Sequence, residues 1–217
     1  VRANQLAHEA LVALNDGNLS QARQKVMAAN ELAGRNVEVA RAMAKVWGAL
    51  APSSVVPLWE RANELSHDAK EDQQGLALAL LAAGELERSK SVLAKLLETS
   101  GDDPQTVFVQ INWLIAAMRS SEALAKIEQL VERFPRNEDY LKIYSFLIRN
   151  PSTQTPAALA AYKKHLNKLK TEPNQLGIWA LEELARVSPA QDLEPILKEL
   201  FKHPEASRAT LLFAYQI

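Results

Sequence analysis

The chain has 217 residues, 47% hydrophobic and 24% charged, which are the proportions of a folding polypeptide and exclude disordered, collagen-like and low-complexity classes. Its 25 basic and 26 acidic side chains give a net charge of −1, so no global field draws in nucleic acid or an anionic membrane surface. Cysteine is absent, which excludes disulfide frameworks, thiolate zinc sites and cysteine nucleophiles and leaves cytosol and periplasm equally open. The longest apolar run, 76–83, falls far short of the ~20 residues that cross a bilayer, so no direct membrane insertion is expected within this segment. The chain opens on Val1 with no signal-peptide pattern, and the expectation is a processed or partial product whose anchors, if any, lie outside it.

In chain order, apolar residues recur at helical spacing and turn signals fall at regular intervals. Helices are predicted over 3–14 and 20–32 across Asn15-Asp16-Gly17-Asn18, with Gly17 supplying a positive φ and Gly34 closing the pair. Helices 37–50 and 54–65 follow, broken at Ala51-Pro52-Ser53, with Pro57 in a first turn where its missing N–H costs little. Next come 72–82 and 86–98 around Gly84, then 104–118 and 121–133 with Asp103 as N-cap. Helices 138–149 and 156–169 are joined by a polar turn, 150–155, and 174–187 pairs with 192–202. A last helix, 205–216, has no mate. The hairpins therefore span 3–34, 37–67, 72–100, 104–134, 138–170 and 174–203 of a single domain, 1–217, and Pro104, Pro135, Pro173 and Pro204 stand at handovers between them.

The second helices repeat. Each opens on a small or β-branched residue with a larger one four positions on: Ala22 and Val26, Val55 and Trp59, Ser89 and Leu93, Ala123 and Ile127, Ala158 and Tyr162. Seven residues after the opening come Ala29, Ala62, Leu96, Leu130 and His165, a stripe at helical spacing in every unit. The period is close to 34 residues, and no alternating runs with hairpin-type turns point to strands.

These residues resemble the tetratricopeptide repeat (TPR) family, and in particular its bacterial type. The clearest matches are Ile111, Leu114, Ala123, Ile127, Leu130 and Pro135 in hairpin four, and Leu76, Ala77, Leu80, Gly84, Ser89, Leu93 and Leu96 in hairpin three. Hairpins five and six are looser, with an enlarged turn at 153–156 and with Pro195 near the start of a second helix. The resemblance implies an all-α, right-handed superhelical solenoid of about six hairpins plus a C-terminal helix, first helices lining a concave groove. It also implies a non-catalytic scaffold that binds a peptide, helix or protein in that groove. The other expectation is a structural spacer within a larger, membrane-tethered protein; a bacterial cytoplasmic and a periplasmic or tethered location both remain open.

Chaperone-adaptor members of the family clamp a peptide carboxylate with Lys, Arg and Asn from their first helices. The corresponding positions here are Ala7 and Leu11, Ala40 and Ala44, Gln74 and Leu78, Phe108 and Asn112, Ile143 and Leu147, Gly177 and Leu181. Only Asn112 fits, so a groove of apolar to neutral character is expected instead. Trp47, Gln74, Phe108 and Asn112 are the candidate partner-binding residues, the two aromatics as anchors. Trp59 and Trp179 fall on the packing stripe and are expected in the core.

Lys163, Lys164, His165, Lys168 and Lys170 read as a solvated helix face without interleaved aromatics, so nucleic acid is not an expected partner. The four histidines lie far apart, no phosphate loop or nucleophile elbow occurs, and Glu182-Glu183 reads as one exposed helix edge. Catalysis, cofactor and metal are therefore not expected. The helix 205–216 carries apolar residues on two sides, which points to a missing partner helix or to self-association.

Overall fold

The computed structural model of the chain describes residues 1–207 together with Thr210, Leu212 and Phe213. Among the described residues there are twelve α-helices and no strand: α1 Arg2–Asn15, α2 Leu19–Ala33, α3 Val37–Leu50, α4 Val56–Leu65, α5 Lys70–Ala82, α6 Leu86–Ser100, α7 Pro104–Ala116, α8 Ser120–Arg133, α9 Glu138–Arg149, α10 Pro156–Leu169, α11 Gln175–Arg186 and α12 Leu193–Lys202. They fall into two compact units, Val1–Arg119 and Ser120–Ile217, divided at the turn of the fourth hairpin.

In the first unit each helix packs on the next. Ala3, Ala7, Ala10 and Ala13 of α1 meet Ala22, Val26 and Ala29 of α2 and Val39, Ala42 and Val46 of α3. Such small side chains let three helices approach closely while excluding water. Further on, Ala44 packs with Val55, Val56, Leu76 and Leu80, and Ala77 with Leu93 and Val109. The second unit is built on larger residues: Ile127, Leu130, Leu141, Leu147, Ile148 and Leu166 are all fully enclosed. Each contributes roughly 1.5–3 kcal/mol through burial. Tyr144 and Tyr162 join α9 to α10 edge to face, with ring centroids 4.8 Å apart.

Most of the repeating stripe is core: Ala22, Val26, Ala29, Ser89, Leu93, Leu96, Ala123, Ile127, Leu130 and Tyr162 are buried, whereas Trp59 and His165 are half-buried. The buried Ser89 hydroxyl of the stripe has a bonding partner, its Oγ donating to the Ala77 carbonyl at 3.0 Å.

Six helix starts are capped by side chains. Asp103 accepts from Thr106 N–H as expected, and Asn18, Asn36, Asn137, Thr155 and Asn174 do the same for α2, α3, α9, α10 and α11. Three hairpin turns share one closure. Asn18, Glu85 and Arg119 each donate a backbone bond of 2.8 Å to Ala13, Leu80 and Leu114, around a left-handed residue at Gly17, Gly84 and Met118.

Several boundaries differ from expectation by one or two residues, among them the start of α5 at Lys70 and the end of α6 at Ser100. Pro52–Ser54 forms a 3-10 turn, so α4 begins at Val56; α7 ends at Ala116; and Ala190–Asp192 precedes α12 as another 3-10 turn. Pro195 lies in the first turn of α12, where no N–H is needed for the helix ladder. The expected helix 205–216 does not begin at Glu205, because 205–207 are turn and irregular backbone, and half of its positions lie outside the described residues. Of its described members, Thr210 is buried, Leu212 is exposed, and Phe213 packs on Ile178, Leu181 and Leu200.

Candidate functional site

In each unit the described residues form a depression whose walls are mainly the first helices of hairpins. In the first unit it holds about 290 Å³ between Arg41 and Lys45 of α3, Glu71 and Leu78 of α5, and Gln105 of α7. Trp59 of α4 forms part of the wall because α5 has no side chain at Gly75: a Cβ there would overlap the indole ring.

Much of the polar lining is engaged. Arg41 meets the enclosed Asp72 carboxylate through Nε to Oδ1 at 2.7 Å and Nη2 to Oδ2 at 2.8 Å, and reaches Glu38 at 2.8 Å. The hydrogen bond to Asp72 raises the guanidinium pKa further above its ordinary value. Lys70 bonds Asp103 at 2.9 Å and holds that carboxyl below the usual carboxylate range, aided by the Thr106 N–H. Lys45, Leu78 and Gln105 face the depression, together with Glu71 and the Trp59 ring.

The four partner-binding candidates do not form one lining. Gln74 borders the depression but is buried, and its amide donates to Asp103 at 2.8 Å and Thr106 at 2.9 Å, so it offers no free donor. Asn112 donates to the Phe108 carbonyl one turn back at 2.8 Å. Phe108 is half-buried, and Trp47 packs beside Ala44, Leu76 and Leu80 with the Arg23 guanidinium 5.4 Å over its ring. The positions aligned with the family clamp are mostly enclosed: Ala7, Ala40, Ala44, Leu147 and Leu181 are buried between helices. A first helix has neighbours on two sides, and apolar spacing alone misplaced which stripe is left over for the surface.

The second unit's depression, about 330 Å³, lies between Glu138, Leu141 and Lys142 of α9 and Gln175, Ile178, Trp179 and Glu182 of α11, closed by Ser207 and Thr210. Trp179 is thus partly exposed in a cavity wall, not in the core, and Trp59 is likewise only partly buried. Glu182 and Glu183 also part company. Glu183 is enclosed and accepts from Ser145 at 2.5 Å, Tyr162 at 3.0 Å and Arg186 at 2.8 Å, whereas Glu182 turns to the cavity. Burial beside Glu183 drives the Tyr162 phenol far above its ordinary pKa, and the enclosed hydrogen bonds make the cluster a brace between α9, α10 and α11. Among the described residues no group of three His, Asp or Glu is placed to hold a metal ion, and no helix is long and apolar enough to cross a membrane.

No protein-family model matches the sequence, and no curated protein matches it. Its shape is matched. A tetratricopeptide repeat protein from Parabacteroides merdae superposes with a TM-score of 0.66 at 12% identity, over 97% of this chain and 82% of that one. The fold is TPR-like. A second solved TPR domain, that of P58(IPK), aligns with a TM-score of 0.42 and 15% identity over 99% of this chain and 64% of that one. In this TPR-like array the second helices bury the repeated stripe, and both depressions use first-helix side chains.

Proposed function

We propose that the chain is a non-catalytic protein-interaction scaffold that binds a peptide, helix or protein partner along its first helices. The observation carrying this reading is the location of the cavities: α3, α5 and α7 supply most of one, and α9 and α11 most of the other. Small, partly apolar depressions with a few polar groups suit side chains of a bound segment. The alternative, a structural spacer, needs no such surface and predicts no saturable ligand there. Alanine substitution of Lys45, Leu78 and Gln105, with binding to a purified partner followed by calorimetry, separates them: weakened binding with unchanged melting supports the scaffold, and unchanged binding removes it from this face.

A further inference from the structure

The α9–α11 cavity has a chemical bias. On α11, Trp179 and Glu182 are three residues apart and so share a face, and Ile178 adds an apolar wall with Leu141 of α9 opposite. Lys142, the cation of this lining, is already shared between Glu138 at 3.6 Å and Asp139 at 3.7 Å. Arg186 of α11 makes its ion pair with Glu183 at 2.8 Å and lies over the Phe213 ring at 4.7 Å. No hydrogen bond or ion pair reaches Glu182 from a described residue, and burial lifts its carboxyl pKa even though the Arg186 charge one turn further along α11 pulls it down.

The tryptophans show the same contrast. Trp47 has Arg23 over its ring at 5.4 Å, and Trp113 has Lys90 and Arg119 at 5.9 and 5.8 Å. Trp59 and Trp179 have no such cation among the described residues, and of these two it is Trp179 that shares a helix face with the Glu182 carboxylate.

We propose that this cavity is a receptor for one arginine side chain of a partner peptide, its guanidinium bonding Glu182 and stacking on Trp179 while its methylenes lie against Leu141 and Ile178. Arginine suits the site better than lysine because a planar guanidinium satisfies a carboxylate and an aromatic face together. A volume of about 330 Å³ admits one large side chain and its flanking backbone, not a whole helix. The proposal rests on the scaffold reading and deepens it.

The test is an NMR titration of the full chain with the blocked tripeptide acetyl-Leu-Arg-Leu-amide, read at the Trp179 indole N–H, which Trp179→Phe assigns. Acetyl-Leu-citrulline-Leu-amide, neutral but nearly the same shape, is the control. The arginine peptide is expected to shift the Trp179 signal saturably and the citrulline peptide not to. Glu182→Gln is expected to weaken the arginine peptide about tenfold, in the range of a charge-assisted hydrogen bond, while the other three indole signals report an unchanged fold. Equal binding of the citrulline peptide, an unaffected Glu182→Gln, or no Trp179 shift at saturating peptide elsewhere overturns the proposal. Partner contacts at Lys45, Leu78 and Gln105 would survive that result, so the scaffold reading fails or stands separately.

Discussion

Arg41 and Asp72 tie the first helices of consecutive hairpins together by two parallel hydrogen bonds, and the carboxylate is enclosed while the guanidinium still touches water. Removing the arginine strands a buried charge. Arg41→Met is therefore expected to cost about 3 kcal/mol in a urea melt, and Arg41→Met with Asp72→Leu less than that, because the second change removes the orphaned carboxylate. Equal losses for the single and double variants would show that the pair is not coupled.

Met118 occupies, at φ 60°, the turn position that Gly17 and Gly84 fill at 75° and 78°. Its side chain is 89% exposed and gains little from packing in return. Met118→Gly is expected to stabilise by about 0.5–1 kcal/mol, and Gly84→Met to destabilise by about the same amount. Thermal melts of the two variants check the sign.

His165 is partly enclosed on α10; its Nε2 has no partner, and the Pro135 backbone bonds the ring on the other side. Burial holds its folded-state pKa below the ordinary 6.5, so as pH falls the unfolded chain takes up the proton first. Its contribution is full above the unfolded value and declines as pH drops through it, levelling off once the folded ring also protonates. His165→Gln is expected to lose less stability than the parent between about pH 7 and about pH 5. Parallel slopes in denaturant melts across that window would contradict this.

Ala123 is fully buried where α8 begins its packing stripe. Ala123→Asp inserts bulk and an unpaired carboxylate, and circular dichroism melts should show a loss of about 3 kcal/mol or more. An unchanged midpoint would place that helix face in solvent.

The helices were legible because turn chemistry brackets them: Thr155-Pro156 opens α10, Asn137 caps α9, and Asn150-Pro151 follows it. The second-helix stripe was legible because it has one face to bury. First helices bury two, so Ala44 and Leu147 could not be told by period from groove residues, and Trp179 could not be told from a core tryptophan. Glu183 looks like its neighbour Glu182 in sequence, and the donors that set it apart, Ser145 and Tyr162, lie 38 and 21 residues away. Gln74 likewise became structural only through Asp103 and Thr106 of the next hairpin. Met118 carries no glycine to announce its left-handed turn, although the 34-residue period from Gly84 points to it.

The most direct test of the scaffold account is site-specific photo-crosslinking to a purified partner. Probes go at Lys45, Leu78, Gln105 and Gln175 on first helices, and at Lys90, Lys126 and Lys163 on second helices. The account predicts partner adducts from the first-helix probes, competed by unlabelled partner, with little from the others. Adducts concentrated at Lys90, Lys126 and Lys163, with none at the first-helix positions, would contradict it.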